Sequence, residues 1–180
     1  MRVLGRFLLV SAAFLSSLAL AQSSDQAVAA RVLGPQWKQL SRRAGTIFAG
    51  TLLTAPTEIL PNKAAASDYT PGPFPSIHLT FRVDEPIAGV ESGQMLTIHE
   101  WTGAYSMNRP LNTGEHVLLF LYPPSRLGLT SPVGGPLGQI ALDATGTTLS
   151  IVAGSTVTLS QLKRAIRSVR TNDERRNEDQ

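Results

Sequence analysis

The alternation of apolar and polar residues is clearest over residues 76–83, where it predicts a β-strand with one buried and one wet face. Gly50 lies inside another apolar segment and indicates a bulge or a barrel bend there. The stretch 116–122 is apolar on both faces, which predicts a central strand. The complete set of expected strands is 46–54, 76–83, 95–101, 116–122, 137–143 and 147–152, and the last two are expected to form a hairpin.

Helical spacing of apolar residues marks both ends of the chain. Residues 24–43 predict a helix broken at positions 34–35, and Trp37 is expected to anchor it in the core. Near the other end, Thr158 and Gln161 have the spacing of a capping box. The helix that follows has one apolar stripe, made of Leu159, Leu162, Ile166 and Val169.

The remaining segments predict loops and a small barrel. Residues 55–75 contain five prolines, which favours a long exposed loop, and the polar residues 171–180 predict a disordered tail. Six short antiparallel strands need a way to close their edges, and a barrel provides it. We therefore expect a mainly β fold in a single domain over residues 22–170. It would be a small closed or partly open antiparallel barrel of the OB type, flanked by N- and C-terminal helices.

Three stretches, residues 44–51, 81–85 and 114–121, carry a resemblance to known barrels. Across residues 44–143 the pattern resembles the OB-like barrels of the netrin-like and metalloproteinase-inhibitor class, and some bacterial exported proteins of unknown function look similar. The inhibitors of that class use an N-terminal cysteine to grip a catalytic zinc, whereas this chain has no cysteine. The resemblance therefore implies the fold and not the inhibitory activity.

The first 21 residues have the pattern of a secretory signal peptide. Arg2 and Arg6 precede an apolar run of about 14 residues, which is short for a membrane span of about 20. Residues 19–21 then match the small-x-small cleavage pattern. We expect cleavage after Ala21 and no transmembrane segment in the mature chain; the alternative is an uncleaved anchor. Export without cysteine favours the bacterial periplasm or the medium as the location.

Composition and charge narrow the function classes. Hydrophobic residues make up 42% of the 180 residues and charged residues 16%, which excludes a disordered or coiled-coil protein. Loss of Arg2 and Arg6 with the signal peptide lowers the formal net charge from +3 to +1. The basic residues form no stripe across the body of the chain, so no nucleic-acid partner is expected.

Candidate catalytic chemistry is sparse. His78, His99 and His116 fall on three different expected strands, without the close spacing of a local metal site. His99 and Glu100 are strand neighbours, so they point to opposite faces. We therefore expect no bound metal and no cofactor.

The loop after residue 100 is the best candidate binding site in the sequence. Trp101, Tyr105 and Arg109 crowd into nine residues and offer rings and a guanidinium for a ligand. The alternative is that the two aromatic residues only cap one end of the barrel. The favoured function is an exported, non-enzymatic binding or interaction protein for an unknown protein or envelope ligand. The alternative function is a hydrolase of unrecognised type that uses His99 or His116 with a carboxylate.

Overall fold

A curled antiparallel sheet forms the centre of the computed structural model, which describes residues 24–60, 74–150 and 156–178. Its six strands are β1 (Thr46–Leu52), β2 (Thr57–Ile59), β3 (Ser76–Ala88), β4 (Met95–Trp101), β5 (His116–Leu121) and β6 (Gln139–Ala141). The strand order is β2-β3-β1-β5-β6, and β4 pairs with β3. The sheet makes a half-barrel, so the predicted mainly β, partly open OB-like fold with flanking helices is confirmed.

Helices and a small second sheet surround the half-barrel. The helices are α1 (residues 24–33), α2 (Trp37–Arg43), α3 (Thr102–Tyr105) and α4 (Leu159–Glu178). Two short strands, β7 (Thr148–Ser150) and β8 (Thr156–Thr158), pair with each other in the second sheet. The break between α1 and α2 lies where the sequence predicts it, and Trp37 is buried in the core.

Two hydrophobic cores lie on opposite faces of the sheet because successive strand residues point to opposite sides. The outer face packs against the helices and the small sheet, through residues that include Trp37, Ile47, Ala49, Leu118, Phe120, Leu162 and Ile166. The inner face curls around itself, through residues that include Phe48, Leu52, Leu79, Phe81, Val83, Ile98 and Leu119. The rings of Phe48 and Phe81 meet edge to face in this inner core, with centroids 5.8 Å apart.

Gly50 marks an irregularity in the pairing of β1 with β3. The register shifts between Ala49 and Gly50, as the sequence predicts. A Cβ atom at Gly50 would lie 2.5 Å from the carbonyl oxygen of Arg82. The close approach of the two backbones therefore requires glycine at this position.

The third strand is longer than its alternating pattern indicates. The sequence predicts an end near Val83, before Pro86, but β3 continues to Ala88. Pro86 lies opposite Phe48, next to a second register shift in β1. Because proline lacks an N–H donor, it is tolerated where the ladder is already irregular.

A short strand interrupts the segment predicted to be a long loop. Residues Thr57–Ile59 form β2, which pairs with the beginning of β3. This three-residue edge strand contains no proline, so its backbone is free to pair. Residues 61–73 of the expected loop lie outside the described residues.

The predicted hairpin of residues 137–143 with 147–152 is wrong. A 3₁₀ turn occupies Gly135–Gly138, β6 is only Gln139–Ala141, and β7 pairs with β8 instead. The cause is the Asp143 carboxylate, whose Oδ1 accepts hydrogen bonds from the backbone N–H groups of Thr147 and Thr148 at 3.0 and 3.1 Å. These bonds form a tight turn that replaces a regular hairpin ladder.

The C-terminal helix starts as predicted and ends later. The backbone N–H of Thr158 donates to Oε1 of Gln161 at 3.1 Å, which confirms the capping-box contact. Helix α4 continues to Glu178, whereas the sequence predicts disorder from residue 171. Asp173 accepts hydrogen bonds from Arg42 of α2, at 2.6 and 3.0 Å, and this ion pair holds the extra turns against the molecule.

The structure leaves the predicted export signal as a prediction, because residues 1–21 lie outside the described residues. Within the part of the chain that is described, no helix combines the length and the apolar character that a membrane crossing requires.

Candidate functional site

A polar row crosses the outer face of the sheet where the helices stop covering it. Thr51 on β1 stands opposite Arg82 on β3 and opposite His116 on β5. Asp84 lies two residues beyond Arg82 along β3. Because pairing partners share a face of the sheet, these four side chains come together although they are far apart in sequence.

Short hydrogen bonds connect this row. The Thr51 hydroxyl donates to Oδ2 of Asp84 at 2.5 Å, and Nδ1 of His116 lies 3.0 Å from the same hydroxyl oxygen. Arg82 Nε donates to the other Asp84 oxygen at 2.7 Å. Since the only Thr51 hydroxyl proton goes to Asp84, the network assigns the His116 Nδ1 as the donor to Thr51. A neutral His116 then carries a free lone pair on Nε2.

The Asp84 carboxyl is held in its ionised form. Partial burial by itself raises the pKa of Asp84. The hydrogen bonds from Thr51 and Arg82, the positive charge of Arg82 and the neighbouring His116 outweigh that effect, so the pKa lies below its ordinary value. The site therefore contains a fixed negative charge at neutral pH.

An open cleft of about 720 Å³ lies between this row and the start of α4. The turn at residues 145–148 and the residues Ser160, Lys163 and Arg164 line its other side. Lys163 forms an ion pair with Glu85. Arg164 binds Asp25 of α1, with Nε 2.8 Å from Oδ2. The strands and the helix thus present hydroxyl groups and paired charges to a single cleft, which sequence reasoning missed.

The three predicted loop residues have different surroundings. Trp101 ends β4 with 49% of its surface exposed, and a Cβ atom at Gly103 would lie 2.6 Å from its ring. Tyr105 is in α3 and packs against the inner core. Arg109 pairs with Glu115 at 2.5 Å. The role of the three as a ligand site stays a prediction.

Burial raises the pKa of the Tyr105 hydroxyl, and the Glu100 charge adds to this rise, while a hydrogen bond with the Leu111 backbone opposes it. The ring of Tyr105 is therefore partly desolvated. This position fits the alternative interpretation, in which the aromatic residues of the loop cap one end of the barrel.

Glu100 is an unexpected charged residue in the inner core, where its exposed fraction is 1%. Burial raises the pKa of Glu100 to about 7, although a hydrogen bond from Asn108 Nδ2 to Oε1, 2.7 Å long, opposes the shift. Within the described part of the chain, two buried side-chain oxygens, Thr102 Oγ1 and Asn108 Oδ1, have no hydrogen-bond partner. The alternating pattern of β4 could have predicted this burial, because Glu100 shares one face of the strand with Leu96 and Ile98.

His99 faces another histidine across the two strands. His78 and His99 are cross-strand partners, with Nε2 and Nδ1 2.8 Å apart, while Glu100 points to the opposite face as expected. The sequence shows both histidines but not the strand register that joins them. Among the described residues, no group of three or more His, Cys, Asp or Glu is placed to hold a metal ion.

Comparison with known proteins adds no functional information. No family model matches the chain, and neither the curated proteins nor the solved structures include a significant match. The function therefore has to be argued from the geometry of the cleft.

Proposed function

We propose that this is an exported, non-enzymatic binding protein whose ligand enters the cleft between the outer sheet face and α4. The lining of that cleft, with its hydroxyl groups and paired charges on rigid elements, carries the proposal. Small-molecule sites enclose about 300–1,000 Å³, so the cleft is large enough for a short oligosaccharide. Export to the bacterial periplasm or the medium rests on the pattern of residues 1–21.

The charge balance of the cleft favours an uncharged ligand. Each base has an acidic partner, in the pairs Arg82–Asp84, Lys163–Glu85 and Arg164–Asp25. An anionic ligand would have to displace acids, and a cationic ligand would have to displace bases. A ligand with hydroxyl groups can accept hydrogen bonds from the basic side chains and donate hydrogen bonds to the acidic ones without breaking these pairs. A short neutral glycan therefore fits best.

An array of neutral oligosaccharides, probed with the purified mature chain, tests this proposal. We expect a bound glycan, and Arg82→Ala should weaken its affinity about 10- to 150-fold, because a hydrogen bond to a charged group contributes about 1.5–3 kcal/mol. Arg43→Ala is the matched control, since it removes an exposed arginine of α2 outside the cleft. The proposal fails if no glycan binds, or if both variants bind as the unchanged protein does.

A second candidate function is hydrolysis with His116 as a general base. The chain of hydrogen bonds from His116 through Thr51 to Asp84 favours it, because it leaves Nε2 of the ring as the acceptor. The Thr51 proton is already donated to Asp84, so the attacking group would be water. Chromogenic esters, phosphates, peptides and glycosides provide the test. Turnover that disappears in His116→Gln would support this function, and absence of turnover in the unchanged protein would contradict it.

The predicted loop and the family resemblance remain as narrower proposals. The exposed half of Trp101 and the ion-paired guanidinium of Arg109 support a contact surface for a protein partner, with Tyr105 fixing the loop beneath them. We also retain a relationship with the netrin-like and metalloproteinase-inhibitor barrels at the level of the fold. The curled sheet and the terminal helices support it, and the missing cysteine keeps it apart from the inhibitory mechanism.

A further inference from the structure

Two histidine rings meet on the part of the outer sheet face that the helices leave open. His78 on β3 stands directly opposite His99 on β4. Their ring centroids are 4.0 Å apart and their planes are inclined by 74°. The rings therefore do not stack, and the close contact joins two nitrogens, Nε2 of His78 and Nδ1 of His99, at 2.8 Å.

We propose that these two nitrogens bind one divalent transition-metal ion with tetragonal geometry, for which Cu²⁺ is the strongest binder. Imidazole nitrogens lie about 2.0 Å from such ions, so two ligands at a right angle are about 2.8 Å apart. Two ligands of a tetrahedral ion would be about 3.3 Å apart at the same bond length. The observed separation is that of neighbouring corners of a square, which is the arrangement Cu²⁺ prefers.

Metal binding requires only that a hydrogen change its position within the pair. A metal ligand must present a lone pair. In the metal-free pair, one of the two facing nitrogens carries a hydrogen and donates it in a hydrogen bond to the other nitrogen. When the ion enters, that ring loses this proton and takes one up on its second nitrogen, so a neutral ring releases no net proton.

The surroundings provide an oxygen atom and space for solvent ligands. Ser76 is buried on the same strand face, and its Oγ lies 3.4 Å from Nε2 of His78. Ser76 and His99 also line a cleft of about 400 Å³, with Phe74 and residues 127–129 on its walls. Water molecules in this cleft can complete the four ligands of the ion. This site is separate from the cleft of the proposed function and does not depend on it.

Titration of the untagged, chelator-treated mature chain with CuCl₂ at about pH 7.5 tests the proposal. Calorimetry should give about one ion per chain, and electron paramagnetic resonance should show nitrogen ligands. We expect His78→Gln and His99→Gln each to weaken binding at least about tenfold, because each removes one of two strong ligands. His116→Gln, which removes the third histidine, is the control and should bind copper unchanged.

The proposal is overturned if copper binding persists in both variants of the pair or disappears in His116→Gln. Melting temperatures of the copper-free variants show whether they are folded. If either variant does not fold, the ring signals of the unchanged protein in NMR decide the question. Copper should then broaden the signals of His78 and His99 first, and broadening that begins at His116 would refute the site.

Discussion

At the scale of single residues, contacts between side chains that lie far apart along the chain determine what each site contains. The alternation of β4 separates His99 from Glu100, and the structure confirms that separation. The contacts of Thr51 with Asp84 and His116 span 33 and 65 positions, so they depend on a strand register that no local pattern encodes. Candidate residues for the cleft were therefore present in the sequence without a signal that groups them.

The Glu100 carboxyl makes stability depend on pH. Its pKa is about 7 in the fold against an ordinary 4.5, so the folded state holds the proton more tightly than the unfolded state does. The free energy of unfolding should therefore fall by at most about 3 kcal/mol as the pH rises from about 4.5 to about 7. Above that pH it should stay constant. Urea unfolding across this range measures the effect. Glu100→Gln should remove this decrease.

Glu91→Gln is the control for Glu100, because it makes the same exchange at a glutamate that is exposed on the turn before β4. The free energy of unfolding of the Glu91→Gln variant should depend on pH as that of the unchanged protein does. If Glu100→Gln follows that profile as well, the carboxyl of Glu100 is not the group that titrates between pH 4.5 and 7.

At the scale of elements, long patterns predict well and short ones do not. The alternation in β3 and the apolar stripe of α4 each involve at least four residues, and the structure buries both as expected. Strands β2, β7 and β8 have three residues each, too few to show a period. Their pairing is decided by neighbours, as in the turn that Asp143 organises. The predicted hairpin failed for this reason.

Helix α4 should contribute a large part of the outer core. Ile166 is fully buried among the helices and the sheet. Ile166→Ala should reduce the free energy of unfolding by about 2–5 kcal/mol, because it removes buried methyl groups and leaves a cavity. Thr171→Ala, on the exposed side of the same helix, should change it by less than about 0.5 kcal/mol. Chemical denaturation compares the two, and an equally small effect of both would mean that α4 is not packed on the sheet.

At the scale of the whole molecule, the fold class follows from the sequence because many weak patterns agree. Apolar alternation, the density of turn residues and the helical ends all indicate one partly open barrel. How the two ends of the chain meet was not predictable, since it depends on pairs such as Arg42–Asp173 and Arg164–Asp25. The guanidinium of Arg170 also donates to the carbonyl oxygens of Ser41 and Ala44, at 2.8 and 2.7 Å.

The shared outer core predicts that the helices and the half-barrel unfold together. Trp37 reports on the helical layer, where its exposed fraction is 2%, and far-ultraviolet circular dichroism reports on the secondary structure as a whole. Trp101→Phe, an exchange of one partly exposed aromatic residue for another, removes the second tryptophan without disturbing either core. In this variant both signals should give the same urea midpoint, because Ile47 and Phe120 of the sheet contact the same core as Ile166 of α4. A fluorescence transition that precedes the circular dichroism transition would show that the helical layer detaches first, and that the half-barrel persists without it.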